Sequence, residues 1–508
     1  MTDSDPSPVS TPAPAEEADE PAGIPADEPA GAKADEPAGT TADEPAGTKA
    51  DEPGDSAPTI PPQRIPAHDA LPAAPPAPPA PPSTPGRRRR RVLIAAAVVG
   101  VLGVFAASAL ATSRPTEGLL GAAPAAAATP TTPPTPYDQA VKALSDQAAA
   151  LVRHDHASWM AAVDPKQPAL RKRFEQFYAA FQALHVTHFE YHSSLGGGPP
   201  SPVQLNAVMA FCLSAATCPE YEAGSDYDGP PHIAEKLVLK PLAGRYVISK
   251  LSKANYPSQL QPFPWEAQSL VYAQGKRVTV AAPKSLAGKM KSVLAVADKA
   301  ALTDDRFAVL MKNPQQRYRV FLADDKAWKT WYGGGNARYA VAFTVPTAAA
   351  GSDVVLHMSQ LRASDLKVVV QHEMGHVATL SNLTTGDAND MWLKEGVADY
   401  IGWLPQHTHQ DWDFPAARSA LHGGHPPKSI VESPLAPSSS DETANRFYGL
   451  AHFAVECMAA RYGEGRAMTF VRLRLREADD LDTAAQQAFG TSFSTVDKGC
   501  VSWMKQHS

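Results

Sequence analysis

The first 86 residues cannot build a hydrophobic core, and this limits how the chain can fold. They hold 22 of the 49 prolines, and the unit Ala-Asp-Glu-Pro recurs every eight residues from Ala18 to Ala50. Regular prolines interrupt helices, and the repeat has no large apolar side chain to offset the entropy lost on ordering. Residues 1–86 are therefore predicted to be disordered, either as a spacer or as a tail that binds a partner through its proline-rich end.

Charged residues are distributed as unevenly along the chain as the prolines are. Residues 1–86 carry 16 Asp and Glu against three Lys and Arg, although the whole chain has a formal net charge of only −7. The excess of positive charge elsewhere comes from Arg87–Arg91 and Arg114, which leaves residues 115–508 near neutral. A near-neutral globular part argues against a nucleic-acid partner bound to a basic face.

An uncharged segment of 22 residues, Val92–Ser113, follows the five arginines. As a helix it would be about 33 Å long, which is close to the thickness of a bilayer core. Residues 87–113 are therefore predicted to be a basic stop and one transmembrane helix, with the arginines and the N-terminus cytoplasmic. This predicts a single-pass protein of the cell membrane with its later domains extracytoplasmic, and a tail available to a cytoplasmic partner. The sequence Ala109-Leu110-Ala111 leaves cleavage of the anchor open.

Residues 114–136 are rich in alanine, proline and threonine and are predicted to be a linker. Residues 137–260 show helical spacing of apolar residues in 137–163 and 170–184, and then strand patterns. The predicted strands are Val186–Tyr191, Ala207–Leu213, Lys236–Leu239 and Tyr246–Ser249. Helices followed by a run of strands predict a small α+β domain. The order of elements resembles that of NTF2-like folds.

The four cysteines form two candidate pairs. Cys212 and Cys218 enclose five residues, and an oxidised pair is expected there in an oxidising compartment. A metal is disfavoured at this pair because no second Cys or His pair lies nearby at ligand spacing. Cys457 and Cys500 lie on two predicted C-terminal helices, where a disulfide and two buried thiols are both compatible with the sequence.

The segment His372-Glu-Met-Gly-His376 carries the most informative chemistry. Ser364-Asp365 predicts a helix start just before it. On that helix the two histidines are four residues apart, so both imidazoles project from one face and can reach one Zn²⁺. Glu373 lies about 100° around the helix, too far to ligate easily but close enough to reach a water molecule on the metal.

A second segment, Met391–Tyr400, supplies a candidate third ligand. Eighteen residues separate His376 from Glu395. A catalytic zinc needs three protein ligands and one open position, so Glu395 is predicted to complete the set. Asp399 lies one turn further on the same helical face and is predicted to accept the second ring N–H of a ligand histidine.

These motifs resemble those of gluzincin metallopeptidases. The pattern His-Glu-x-x-His, eighteen residues, then Trp-Leu-x-Glu-Gly-x-Ala is similar to that of aminopeptidase-N-like zinc peptidases and of bacterial peptidase MA-like domains. The resemblance implies a zincin-type α+β catalytic domain at 261–508 with a helical C-terminal part. It implies that His372, His376 and Glu395 bind Zn²⁺, and that Glu373 is the general base acting on a zinc-bound water.

A further similarity concerns the segment Tyr448–Gly463, which resembles the family helix that opens with a tyrosine. In that family the phenol donates to the oxyanion, so the resemblance implies this role for Tyr448, with His452 as a competing donor. The aminopeptidases also carry a Gly-x-Met-Glu-Asn strand whose glutamate holds the amine of the substrate. No such motif occurs between Tyr318 and Met358, so the choice between end and internal cleavage stays open.

The other segments of 261–508 complete a domain. The predicted elements are a strand and helices in Phe263–Leu310, an edge strand Arg319–Leu322, strands Tyr339–Val345 and Val354–Met358, and helices Arg446–Tyr462, Glu464–Glu477, Thr483–Phe489 and Ser494–His507. Between them, Pro405–Ala436 is predicted to be a solvated loop, with a second metal site as the alternative. The histidines of this loop are His407, His409, His422 and His425.

The sequence therefore predicts a membrane-anchored, extracytoplasmic, zinc-dependent peptidase that acts on a peptide or protein substrate. Two alternatives stay open. One is a zinc-binding but non-catalytic surface module on a peptidase scaffold, and the other is an anchor whose cytoplasmic tail is the functional part.

Overall fold

The computed structural model describes residues 133–198, 201–223, 229–334, 340–347, 351–383 and 387–508. The predicted tail (1–86), the predicted membrane segment (87–113) and nearly all of the predicted linker (114–136) lie outside these residues. The described part is a mixture of helices and two sheets, so the prediction of an α+β chain is confirmed.

The predicted membrane location is corrected here. Across the described ranges, no helix is both long enough and apolar enough to cross a bilayer. The longest of them, Asp441–Tyr462, has 22 residues but carries charges such as Arg446 and Glu456. The predicted span, Val92–Ser113, lies outside those ranges. The location in a membrane is withdrawn, together with the cytoplasmic and extracytoplasmic assignments that depended on it.

Three helices and a four-stranded antiparallel sheet come first. They are α1 (Pro136–Val152), α2 (His156–Ala161), α3 (Pro168–Ala183), β1 (Val186–Leu195), β2 (Val203–Leu213), β3 (His232–Leu242) and β4 (Arg245–Lys253). The strands lie side by side in sequence order, as is usual for consecutive strands. Phe181 of α3 packs edge-to-face on Phe189 and Phe211, with ring centroids 5.1 Å apart in each case. The predicted helices and strands of this part are confirmed, with longer strands than predicted.

A short helix, α4 (Pro264–Ala267), leads into a five-stranded mixed sheet. Its strands are β5 (Leu270–Gln274), β6 (Val278–Pro283), β7 (Tyr318–Ala323), β8 (Ala342–Pro346) and β9 (Ser352–His357), in the spatial order β5-β6-β7-β9-β8. The three middle strands are parallel, and the two edge strands run antiparallel to their neighbours. The strand predicted at Arg319–Leu322 is therefore β7, and the prediction that it lies at an edge is wrong.

The central position of β7 has a local explanation. All six of its residues are buried, as a strand with neighbours on both sides and packing on both faces requires. Its charged residue, Arg319, is buried because it forms an ion pair with Asp353 on β9. The same guanidinium donates to the carbonyl oxygen of Leu213 at 2.8 Å, which joins the second sheet to the end of β2.

Helices cover this sheet and build the C-terminal part. They are α5 (Met290–Leu310), α6 (Asp325–Trp328), α7 (Leu366–Leu380), α8 (Met391–Trp403), α9 (Phe414–His422), α10 (Asp441–Tyr462), α11 (Glu464–Arg476), α12 (Leu481–Phe489) and α13 (Phe493–Gln506). α5 and α7 pack on the sheet, α8 packs on α7, and α10 packs on α8. The predicted loop Pro405–Ala436 contains one of these helices, α9. The helix α10 begins at Asp441, so Tyr448 lies two turns inside this helix rather than at its start.

One hydrophobic cluster contains buried residues from both sheets. Trp265 links them, because its ring lies 6.1 Å from that of Phe181 in α3 and 6.0 Å from that of Phe321 in β7. The division of the chain at residue 260 stays a prediction.

Both candidate cysteine pairs are disulfide bonds, Cys212–Cys218 and Cys457–Cys500. The second ties α10 to α13, so of the two possibilities that the sequence left open for these cysteines, the structure has the disulfide.

Loss of the Cys457–Cys500 disulfide is expected to lower the free energy of unfolding by about 4 kcal/mol, because the bond restricts a long loop of the unfolded chain. The two cysteines are 43 residues apart in the sequence, whereas Cys212 and Cys218 are six apart. The same loop-entropy relation gives only about 2 kcal/mol for the short loop. Urea denaturation of two variants, each with one pair of cysteines replaced by alanine, measures both losses in the free energy of unfolding. Equal losses would contradict the loop-length argument.

Candidate metal centre

The candidate site is built on α7, which begins at Leu366, directly after the predicted start signal. Asp365 does not cap the helix with its side chain, but accepts hydrogen bonds from Arg362 at 2.7 Å and Ser364 at 2.9 Å. Residues Val368–Thr379 are all buried, because the sheet and α5 pack on this helix as well as α8. Polar side chains on α7 are thereby held in the interior.

The three predicted metal ligands come together in the structure. The Nε2 atom of His372 lies 3.1 Å from Nε2 of His376 and 3.5 Å from Oε2 of Glu395. Nε2 of His376 lies 3.4 Å from the same carboxylate oxygen. An ion with four bonds of about 2.05 Å in a tetrahedron has ligand atoms about 3.3 Å apart. The spacing therefore fits three corners of such a site, and this buried group could hold a metal ion.

Asp399 lies where the sequence predicts it, behind one of the histidines. Its Oδ1 is 2.8 Å from Nδ1 of His372, and both side chains are buried. A carboxylate in this position holds the proton on Nδ1 and leaves Nε2 directed toward the other ligand atoms. Nδ1 of His376 has no hydrogen-bond partner among the described residues. Of the two histidines, and among the described residues, only His372 therefore has a carboxylate on Nδ1, the ring nitrogen that points away from the cluster.

The charges of the cluster favour a bound cation. Burial opposes the charged form of His372, but Asp399 and Glu395 together raise its pKa to about 10. Burial also raises the pKa of Glu395, but His376 and His372 outweigh it and lower that pKa to about 2. A metal ion must therefore displace a proton from His372, so metal binding should weaken as the pH falls.

Glu373 is completely buried and follows the candidate ligand His372 directly in the sequence. Burial raises the pKa of its carboxyl, and His376, His372 and Thr344 oppose that rise in part. Its Oε2 accepts a hydrogen bond of 2.5 Å from Oγ1 of Thr344 on β8, whereas Oε1 has no hydrogen-bond partner among the described residues. One carboxylate oxygen is thus held by Thr344, and the other is open. Thr344 was missed in the sequence, because a threonine in a strand carries no signal of such a contact.

Two glycines allow the helices of the site to pack closely. A Cβ at Gly402 would lie 2.9 Å from Cβ of His372, and a Cβ at Gly396 would lie 2.4 Å from the carbonyl oxygen of Ala451 in α10. Any larger residue would therefore push α8 away from α7 or from α10. Because Gly396 follows Glu395 directly, the close approach of Gly396 to α10 also fixes the position of this candidate ligand.

Tyr448 is buried on the face of α10 that contacts α8. Ala451 and Val455 approach Gly396 on this face, and Tyr448 precedes them by three and seven residues, which places it on the same side of the helix. Measured along α10, Tyr448 therefore lies about one helical turn before the point at which this helix approaches Gly396, the residue after Glu395.

Four of the five other histidines that the sequence singled out contact protein groups, and the fifth, His425, is exposed. Nδ1 of His452, on the turn after Tyr448, lies 2.8 Å from Oδ2 of Asp411, and both are buried. In the predicted loop, His407 contacts Glu456, His409 contacts the backbone oxygen of His507, and His422 contacts Ser508. Within the described ranges, His372, His376 and Glu395 form the only set of three or more His, Cys, Asp or Glu side chains close enough together to hold a metal ion. The alternative of a second metal site in this loop gains no support.

Asp399→Asn is expected to weaken metal binding by about 10–100-fold, because the amide cannot hold the proton on Nδ1 of His372 as firmly as a carboxylate. Titration of the metal-free chain with Zn²⁺ against a coloured chelator measures the affinity. Asp411→Asn is the matched control, since this buried carboxylate contacts a histidine at the same 2.8 Å outside the cluster. An equal loss of affinity in both variants would contradict a specific role of Asp399.

Comparison of the chain with models of known protein families found no match. A search of curated proteins also found none. The resemblance to gluzincins therefore depends on the short motifs and on the arrangement of the residues that they contain.

Proposed function

We propose that this protein is a zinc-dependent metallopeptidase whose catalytic domain, residues 261–508, has the zincin-type fold of gluzincins. The observation that carries the proposal is the buried group of His372, His376 and Glu395, with Glu373 beside it. Two imidazoles and a carboxylate are the ligand set of many hydrolytic zinc sites, and a neighbouring carboxylate is the base that such chemistry needs.

Zinc is proposed over other ions because of the spacing of the ligand atoms. Two histidines and one carboxylate also bind ferrous iron in octahedral sites. Neighbouring ligands of an octahedral ion with bonds of about 2.1 Å lie about 3.0 Å apart, whereas the tetrahedral value is about 3.3 Å. Two of the three separations here, 3.4 and 3.5 Å, favour the tetrahedral ion.

The proposed mechanism assigns one step to each residue. The bound zinc would polarise the scissile carbonyl and make water acidic enough to react near neutral pH. Glu373 accepts a proton from the attacking water on its open Oε1 and later passes it to the nitrogen of the leaving amine. Tyr448 donates its phenolic hydrogen to the carbonyl oxygen as negative charge develops, a contribution of about 3–4 kcal/mol for such donors.

The first α+β part, residues 137–260, is proposed to be NTF2-like. Three helices followed by four antiparallel strands in sequence order support this assignment. No catalytic role is proposed for it.

Cleavage assays on the full chain test the proposed function. We expect one zinc per chain, cleavage of casein or of a peptide library, loss of cleavage with a chelator, and its return with Zn²⁺ but not Mg²⁺. The cleavage sites then decide between end and internal cleavage. A chain that holds stoichiometric zinc and cleaves nothing would instead support the non-catalytic zinc-binding module.

A further inference from the structure

The contact between β8 and the candidate base is the starting point. β8 is an edge strand of the second sheet, and it packs on α7. Thr344, in the middle of β8, has its Oγ1 2.5 Å from Oε2 of Glu373 and 3.0 Å from the backbone carbonyl oxygen of the same residue. Both residues are buried. One hydroxyl thus has two acceptors on the residue that is proposed to move protons.

A hydroxyl carries one hydrogen, so only one of the two acceptors can receive it at a time. The carboxylate oxygen is the nearer acceptor, and a hydrogen bond to a charged oxygen is roughly twice as strong as one to a neutral oxygen. While Glu373 is ionised, the hydrogen of Thr344 therefore points to Oε2. This fixes the rotation of the carboxylate and leaves Oε1 open.

We propose that Thr344 is the positioning residue of the general base, an inference that rests on the proposed function. When Oε1 takes a proton from the attacking water, the O–H bond of the water breaks and its oxygen bonds to the scissile carbon. The π bond of the carbonyl opens in the same step, and its electron pair moves to the carbonyl oxygen. The charge on Oε2 is lost in that step, and the hydrogen of Thr344 can turn to the backbone carbonyl oxygen at 3.0 Å. The threonine thus has an acceptor in both protonation states, and the carboxyl group need not move between them.

Without the hydroxyl, the ionised and buried carboxylate would lose the only side-chain hydrogen-bond donor that it has among the described residues. A buried charge without a donor is costly, so the side chain is expected to turn toward another donor. In Thr344→Val, which keeps the shape of the side chain, the carboxylate should leave its reactive orientation while the ligands keep the metal.

Kinetic assays on the full chain test this expectation. Thr344→Val should lower kcat by about 10–100-fold, as loss of a hydrogen bond to a charged group does, with KM and zinc content near those of the parent. Thr344→Ser should restore most of kcat. Thr379→Val is the control, because this buried threonine of α7 donates only to the backbone oxygen of Gly375. In a chain that already carries Glu373→Gln, Thr344→Val should cause no further loss.

A crystal structure of Thr344→Val gives a readout that does not depend on turnover. A failure of the proposed function can therefore be distinguished from a failure of the inference about Thr344. We expect Glu373 to adopt a different side-chain rotamer from the parent, and Thr344→Ser to keep the parental one. Thr344→Ala serves the same purpose if the valine variant does not fold. An unchanged rotamer, or losses in the Glu373→Gln background as large as in the parent, would overturn the proposal.

Discussion

Replacement of Glu373 by glutamine is expected to leave zinc binding intact and to lower kcat by about 10²–10⁴-fold, the usual contribution of a general base. The glutamine side chain has nearly the same shape, and its amide oxygen can still accept the hydrogen bond from Thr344. It cannot take a proton from water near neutral pH. Zinc content by atomic absorption and cleavage rates on the best substrate of the library measure the two effects separately.

Glu266→Gln is the matched control for this variant. Glu266 is a partly buried carboxyl whose pKa is also raised, mainly by burial, and it accepts hydrogen bonds from the backbone N–H of Phe263 and from Gln261. It lies on α4, outside the catalytic group, so its variant should cleave at the parental rate. If Glu373→Gln cleaves as fast as the parent, Glu373 is not the base.

The part of the site that the sequence predicts depends on short-range helical geometry. His372 and His376 are one turn apart on α7, and Glu395 and Asp399 are one turn apart on α8. Because a helix repeats every 3.6 residues, such pairs share a face wherever the helix is placed. Both pairs of candidate site residues could therefore be named before their helices were brought together.

The contacts that the sequence did not predict join residues that are far apart in the chain. Thr344 reaches Glu373 across 29 positions, and the contact of Asp411 with His452 spans 41. Neither has a periodic pattern, because each depends on how an edge strand or a connecting segment packs on a helix. Gly402 belongs to the same class, since nothing beside it in the sequence shows that a Cβ at this position would lie 2.9 Å from Cβ of His372.

Strand order was misjudged for a similar reason. The chain places β8 before β9, but β9 pairs with β7 and β8 takes the edge. Local patterns give the existence of strands, whereas their order follows from pairing between distant segments. The fold class, the strand at β8 and the helix-borne candidate ligands were therefore predictable, whereas the edge position of β8 and its contact with Glu373 were not.

Glu395→Gln is expected to weaken zinc binding by more than about 100-fold, which exceeds the upper limit expected for Asp399→Asn because a ligand itself is changed. A neutral amide removes the charge that attracts the ion, and it leaves His372 and His376 facing each other at 3.1 Å without the carboxylate that contacts both. Glu373→Gln is the matched control, since it makes the same change at an equally buried carboxylate of the same site but should keep the metal. Chelator competition on both variants compares the affinities. Parental zinc affinity in Glu395→Gln would remove this residue from the ligand set, and the proposed metallopeptidase would lose its third ligand.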